Sequence, residues 1–218
     1  MAQKKVNAVI HSQEKLAEGI YSMWLDAPEM AKAAVPGQFI AVYTNDQSKL
    51  LPRPISICEA DKENGRLRIV YRIAGAGTKE FSAYEEGDTL DIMGPLGNGF
   101  PLKKKKAFLI GGGIGIPPML ELAKNLDCEK TAVIGYRDKE TFLADELRKY
   151  ADVVIATEDG SVGTKGNVID AIRAEKLTAD IIYACGPTPM LKALKTYAME
   201  NGIECYISLE EKMACGIG

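Results

Sequence analysis

The rhythm of apolar and polar residues changes about midway along the chain. Up to residue 100 the apolar residues fall in short runs that alternate with polar ones and stop at Gly or Pro. The runs at 6–10, 20–25, 38–43, 55–58, 66–73 and 89–93 are rich in β-branched and aromatic residues, which predicts strands. Six short strands with no long helix among them predict a small antiparallel β-barrel. One short helix is expected after Thr78, at 79–82. Beyond residue 100 the pattern differs. A continuous apolar run at 107–110 leads into Gly111-Gly112-Gly113 and a helical stretch at 117–126. Strands are then predicted at 131–135, 153–157, 181–185 and 204–209, and helices at 141–150, 168–175 and 189–201. Apolar strands alternating with helices imply a parallel sheet covered on both faces. The change of rhythm falls at 94–101, a run of turn formers, Gly-Pro-Leu-Gly-Asn-Gly-Phe-Pro. The expected fold class is therefore α+β with two domains. An N-terminal six-stranded antiparallel β-barrel occupies 1–100, a C-terminal α/β doubly wound parallel sheet 101–210, and 211–218 begins a further segment.

Composition narrows the function. With 46% hydrophobic and 26% charged residues and a net charge of −3, the chain is ordinary for a globular protein. That balance argues against a nucleic-acid partner, which calls for a basic surface. The one basic run, Lys103-Lys104-Lys105-Lys106, reads as a solvated loop before a strand. No stretch of about 18 apolar residues is present to span a membrane. The first ten residues lack a signal-peptide core, and a cytoplasmic location is expected. Five cysteines, at 58, 128, 185, 205 and 215, show no C-x-x-C spacing and suit a reducing compartment. The single histidine, His11, rules out a His-based metal site or a Ser-His-Asp triad and is expected at an exposed or edge strand position. Chemistry here is expected to come from a cofactor.

Gly111 to Pro118 sits between a strand and a helix. Glycines let the backbone turn tightly and approach a pyrophosphate, whose charge the helix N-terminus then meets, and proline suits the first helical turn. Gly112, Gly113, Gly115 and Pro117 are the candidate residues for binding a nucleotide. The run departs from the usual dinucleotide fingerprint, because Pro118 stands where its third glycine would be. The next strand ends Gly135-Tyr136-Arg137-Asp138. Arg137 would favour a 2′-phosphate and Asp138 an unmodified ribose, so the coenzyme stays open between NADP and NAD. Cys185-Gly186-Pro187 closes another strand, at the sheet end where ligands of open α/β sheets bind. Cys185 is thus placed to touch the far end of a nucleotide. In the barrel half, Arg53-Pro54-Ile55-Ser56 supplies a guanidinium for a phosphate and a hydroxyl for a flavin ring edge. Gly77-Thr78 precedes the short helix and could hold the other side of a pyrophosphate.

Taken together and in order, Arg53 to Ser56, Gly77-Thr78, Gly111 to Pro118 and Cys185 to Pro187 resemble the ferredoxin-reductase family. That family joins a flavin-binding barrel to a nicotinamide-binding α/β domain. One departure is Ile55, where many members carry an aromatic residue stacked on the flavin. The resemblance is closer to the electron-transfer subunits of dihydroorotate dehydrogenase B, through Arg53 to Ser56, Gly94 to Phe100 and the run Glu210 to Gly218. It implies that FAD is held by Arg53, Pro54, Ile55 and Ser56, by Val70, Tyr71 and Arg72, and by Gly77 and Thr78. It also places NAD at the glycine run and Cys185, as the catalytic residue, near the nicotinamide. The partner it implies is a dihydroorotate-oxidising FMN subunit in a heterotetramer serving pyrimidine biosynthesis. In that family the last run begins a [2Fe-2S] site with four cysteines, of which Cys215 is the one present here. The chain stops in mid-motif, which leads to the expectation that the natural polypeptide continues. Two rival readings stand beside this one. The first is an equivalent subunit of a ferredoxin–nicotinamide transhydrogenase, a sulfide dehydrogenase or a hydrogenase. The second, of another class, is a non-catalytic nucleotide-binding redox sensor.

Overall fold

Alternating apolar residues turn one face of each N-terminal strand inward, and six such strands close on themselves. The structure, a computed structural model, describes residues 5–46 and 51–209. The described residues divide into two compact units, one ending at Gly99 and the other beginning at Phe100. In the first unit β1 (Lys5–Ala17), β2 (Ile20–Asp26), β3 (Phe39–Val42), β4 (Arg53–Asp61), β5 (Arg66–Arg72) and β6 (Thr89–Leu96) form a closed antiparallel barrel in the order β1-β2-β5-β4-β3-β6. Its core is built from the inward set, including Ile10, Met23, Ile40, Ile57, Leu67, Ile69 and Tyr71. Burying each such side chain is worth about 1.5–3 kcal/mol.

The barrel strands run further than the sequence pattern predicts. β1 continues well past residue 10 because it pairs with β6 through Lys5–Val9 and with β2 through Val9–Ala17. His11 sits, half-buried, where the β1–β2 register slips between Ile10 and Ser12, which is a bulge. A helix not anticipated, α1 (Pro28–Ala33), covers one end of the barrel with Met30 and Ala31 in the core. Its signals are local: Pro28 in the first turn, Glu29 near the start and Lys32 near the end. The turn before β5 presses on it, since a Cβ on Gly65 would lie 2.8 Å from Pro28 Cβ. Helix α2 (Ala76–Phe81) starts earlier than predicted.

The second unit is a six-stranded sheet in the order β10-β9-β8-β7-β11-β12, with every pair parallel. Its strands are β7 (Ala107–Gly112), β8 (Lys130–Tyr136), β9 (Asp152–Thr157), β10 (Thr164–Lys165), β11 (Ile181–Cys185) and β12 (Glu204–Ser208). Helices α3 (Pro117–Asn125), α4 (Ala144–Leu147), α5 (Val168–Ala174) and α6 (Thr188–Asn201) connect them. Val168, Ala171 and Ile172 of α5 and Leu191, Leu194 and Ala198 of α6 share one cluster with Ile110, Val133 and Ile182. Helix α3 buries Met119, Leu120, Leu122 and Ala123. The antiparallel barrel and the doubly wound sheet expected from the pattern are both present. The helix predicted at 141–150 shrinks to four residues, because Leu143 takes a left-handed backbone (φ 64°) and Tyr136 OH donates to Phe142 O at 2.6 Å. That bond, with an edge-on Tyr136–Phe142 ring contact, holds the chain off the helical path.

The basic run is a loop, as expected, but its lysines are engaged. Lys103 and Lys105 both pair with Glu204, Lys104 with Asp127 and Lys106 with Glu129. Tyr206 OH also donates to Glu204 at 2.8 Å. These donors hold the Glu204 carboxyl down at a pKa of about 2, with the Lys103 bond the largest cause.

Candidate functional site

In the barrel unit the residues singled out in the sequence gather around α2. Arg53 opens β4 opposite Val42. Its guanidinium lies against the backbone of Gly77: a Cβ there would stand 2.5 Å from Arg53 Nε and 2.7 Å from Cζ. Only glycine leaves room for that approach. Arg53 also donates to Leu51 O. Thr78 Oγ1 accepts from Ala74 N at 2.9 Å and Gly75 N at 3.2 Å, which fixes the turn that leads into α2. Two segments far apart in the sequence, Arg53 and the stretch 74–78, thus form one small assembly: a cation, a bare backbone and a capped turn.

The neighbouring candidates divide between the faces of their strands. Ile55 joins the barrel core, whereas Pro54 is exposed and Ser56 is half-buried opposite Phe39. On β5, Tyr71 points inward. Its ring stacks on Tyr21 with centroids 5.9 Å apart, and its hydroxyl donates to Gln13 Oε1 at 2.7 Å. Burial pushes that hydroxyl's pKa well above the ordinary tyrosine value. Tyr71 therefore offers a ligand its backbone rather than its ring, while Val70 and Arg72 lie on the other face. Gln13 also belongs to this region. Its Nε2 donates to Phe81 O at 3.1 Å and Tyr84 O at 2.7 Å, tying the far end of α2 to β1. Nothing in a lone glutamine within a strand marks that role. A cleft of about 460 Å³ opens beside this end, lined by Gln13, Tyr21, Ser82 and Tyr84 among others; neither Arg53 nor Gly77 lines it.

In the second unit the strand order reverses between β7 and β11, the position where open α/β sheets bind ligands. Gly111 of β7 lies in register with Cys185 of β11, so the glycine run and the Cys185-Gly186-Pro187 turn emerge side by side. Their glycines do different work. A Cβ on Gly115 would run into the Cys185 carbonyl and stand 2.6 Å from Gly186 N. A Cβ on Gly112 would lie 2.7 Å from Met190 Sδ and 3.1 Å from Pro187 Cδ. Both are packing glycines. Gly113 has φ +53° and would meet nothing within 4 Å, so its α-carbon faces open space. Gly113 is the position at which a ligand's closest approach is unobstructed.

Helix α3 contributes less than a helix start ordinarily does. Pro117 and Pro118 carry no N–H, and Met119 N donates to Ile116 O at 2.9 Å. The 3₁₀ turn Gly113–Gly115 immediately precedes this helix start. Cys185 is 4% exposed and forms no disulfide. At the ends of β8 and β9, Glu158 N donates to Tyr136 O at 3.1 Å and Asp159 N to Arg137 O at 3.2 Å. Arg137 and Asp138 are both exposed, and the Asp138 carboxylate accepts from Glu140 N at 2.9 Å. Bonds from Ser161 hold the Asp159 carboxyl below the usual carboxylate range. Cys215 lies outside the described residues. Among the described residues no three His, Cys, Asp or Glu side chains group as metal ligands, and no helix is long and apolar enough to cross a membrane.

The family model for the oxidoreductase FAD-binding domain matches residues 7–100. A solved structure of an NADH-dependent reduced ferredoxin-NADP oxidoreductase superposes with a TM-score of 0.86 at 31% identity, covering 98% of this chain and 79% of its own. The fold and these matches thus define an FAD-binding oxidoreductase of the ferredoxin-reductase type. The electron transfer subunit of dihydroorotate dehydrogenase B (NAD(+)) from Geobacillus sp. (strain WCH70) is 42% identical over 227 residues, covering 100% of this chain and 87% of its own length. Its counterpart from Streptococcus mutans is 44% identical over 223 residues, covering 98% and 85%. The chain belongs to the family of dihydroorotate dehydrogenase B electron transfer subunits.

Proposed function

We propose that this chain carries electrons between a dihydroorotate-oxidising FMN subunit and NAD⁺, by way of FAD held in the barrel unit and a [2Fe-2S] centre to which Cys215 supplies one thiolate. The observation that carries the reading is the near-full-length match to electron transfer subunits of that enzyme. Bound FAD supplies a centre that exchanges electrons singly with a cluster and in pairs, as hydride, with nicotinamide.

The chain's own residues have separate tasks in this scheme. Arg53 meets the FAD phosphates, and its contact with Gly77 supports this, because a cation beside a bare backbone suits a close phosphate. Thr78 holds the turn at that place. Pro54, Ile55 and Ser56, with the backbone of Val70 and Tyr71 and with Arg72, border the flavin, and Ser56 offers a hydroxyl to the ring edge. Gly113 receives the NAD pyrophosphate. Gly112, Gly115 and Pro117 shape the loop that presents it. Cys185 stands beside the glycine run, next to the expected place of the nicotinamide. The partner subunit completes a heterotetramer.

A second reading has its own support in the likeness to the NADH-dependent ferredoxin-NADP oxidoreductase. An equivalent subunit of a transhydrogenase would share every feature described above. Reconstitution separates the two. Mixed with a dihydroorotate-oxidising FMN subunit, the full-length protein should support dihydroorotate-dependent NAD⁺ reduction. If it reduces NAD⁺ only with reduced ferredoxin, the dihydroorotate assignment fails.

A further inference from the structure

Helix α2 is gripped by more than Arg53. Glu80 stands three residues after Gly77, so the two are neighbours on the helix surface. Its Oε1 accepts hydrogen bonds from Asn45 N at 2.7 Å, Asp46 N at 3.2 Å and Tyr84 OH at 2.6 Å. Asn45 and Asp46 lie just beyond β3, and Asn45 Nδ2 donates in turn to Thr89 O at the start of β6 at 3.2 Å. One carboxylate oxygen therefore joins α2 to the exit of β3. Burial, followed by the bond to Glu80, pushes the Tyr84 hydroxyl up to a pKa of about 12. At the far end of the helix Gln13 satisfies the carbonyls of Phe81 and Tyr84. Gln13 can fix where that end lies without fixing how the helix is turned about its axis. The Glu80 bonds, made from the side of the helix, supply the second constraint.

We infer that Glu80 is a positioning residue for the flavin phosphates, holding α2 in the rotation that brings the Gly77 backbone against the Arg53 guanidinium. The inference rests on the reading of Arg53 as an FAD-phosphate ligand. None of the Glu80 bonds described here is made to Arg53, so its influence passes through the helix. A rotation of α2 about its axis would carry the Gly77 α-carbon away from the guanidinium and close the gap with a neighbouring side chain.

The test is an FAD titration of the flavin-stripped full chain, followed by fluorescence quenching, with a thermal melt of each apoprotein beside it. Glu80→Ala should raise the FAD Kd roughly tenfold, the effect of one lost charge-assisted hydrogen bond. Glu80→Gln keeps an acceptor oxygen in the same place and should stay within about threefold of wild type. In an Arg53→Ala background the Glu80→Ala effect should shrink below about threefold, because coupled residues are not additive. If Glu80→Ala does not fold, Glu80→Asp, one methylene too short to reach Asn45, takes its place with the same expected tenfold loss. An unchanged Kd in that variant, an equal loss in Glu80→Gln, or full additivity with Arg53→Ala overturns the inference. The first means no role, the second a charge effect alone, the third an effect independent of the Arg53 contact. If Arg53→Ala itself leaves the Kd unchanged, the reading of Arg53 fails first and the inference falls with it.

Discussion

Gly115 and Gly113 stand two residues apart in one loop, and their substitution should have opposite consequences. Alanine at 115 places a Cβ 2.6 Å from Gly186 N and against the Cys185 carbonyl, where ordinary contact begins at 3.4 Å. The gap must open by most of an ångström. Both obstacles are backbone at the end of a buried strand, so no side chain can swing aside. Overpacking of this kind costs about 1–3 kcal/mol, and a backbone obstacle puts Gly115→Ala near ~3 kcal/mol. At roughly 4 °C per kcal/mol for a unit of this size, the melting temperature of the nucleotide unit should fall by about 12 °C. Alanine at 113 meets nothing within 4 Å and bears only the strain of φ +53°. That costs ~1 kcal/mol, or about 4 °C. Its methyl group, however, projects into the space assigned to the pyrophosphate. Gly113→Ala should therefore raise the KM for NADH several-fold, with a dye as electron acceptor, while flavin content is unchanged. Circular dichroism melts and initial rates on the two variants decide the matter. If Gly115→Ala melts within about 3 °C of wild type, the packing role is wrong. If Gly113→Ala keeps the wild-type KM, the ligand does not approach there.

Three further outcomes are expected. Flavin extracted from the purified protein should run as FAD on chromatography; FMN alone would remove the two-phosphate reading of Arg53 and Gly77-Thr78. Arg53→Ala should weaken FAD retention by roughly tenfold or more, as loss of a charge-assisted phosphate contact does. Arg66→Ala, which loses a partly exposed pair with Asp26, should change it little. Glu204 is a carboxylate whose folded pKa is depressed to about 2 from an ordinary 4.5, so its contribution is full above pH 4.5 and disappears as pH falls toward 2. The difference in urea midpoint between wild type and Glu204→Gln should accordingly shrink over that range, and a constant difference would refute the Lys103–Glu204–Lys105 latch.

Both halves of the fold were legible because burial dictates periodicity. Alternation such as Leu67, Ile69, Tyr71 marks the inward face of a barrel strand, and the unbroken Phe108-Leu109-Ile110 marks a strand covered twice. What stayed hidden depends on partners distant in sequence. The length of β1 follows from its pairing with both β2 and β6, which no window around residue 12 contains. The short α4 follows from a Tyr136 hydroxyl reaching Phe142. At the site, Arg53 and Gly77 could each be named from local chemistry, but their contact could not. Gln13 and Glu80 carry no motif at all, because their roles consist of the backbone groups they happen to reach. In the sequence the glycine run looks like one cradle. The structure separates Gly113, which is open, from Gly112 and Gly115, which are packed, and no glycine-rich string announces that division.

The place of β11 in the sheet bears on the order in which the protein can be completed. Strands β7, β8 and β9 follow one another along the chain and lie side by side, so they can zip together as they leave the ribosome. Until β11 arrives, the other edge of β7 presents the unpaired backbone of Phe108, Leu109 and Ile110, and the glycine turn lacks the Cys185–Gly186 peptide it packs against. The barrel has no such debt, since β6 closes it by Leu96. A nascent chain released or stalled before residue 181 should therefore hold a closed flavin barrel beside a sheet with an open, apolar edge. Such a fragment should be prone to edge-to-edge pairing. Strand β11 gives the glycine turn its shape and the half-made sheet its protection in a single insertion.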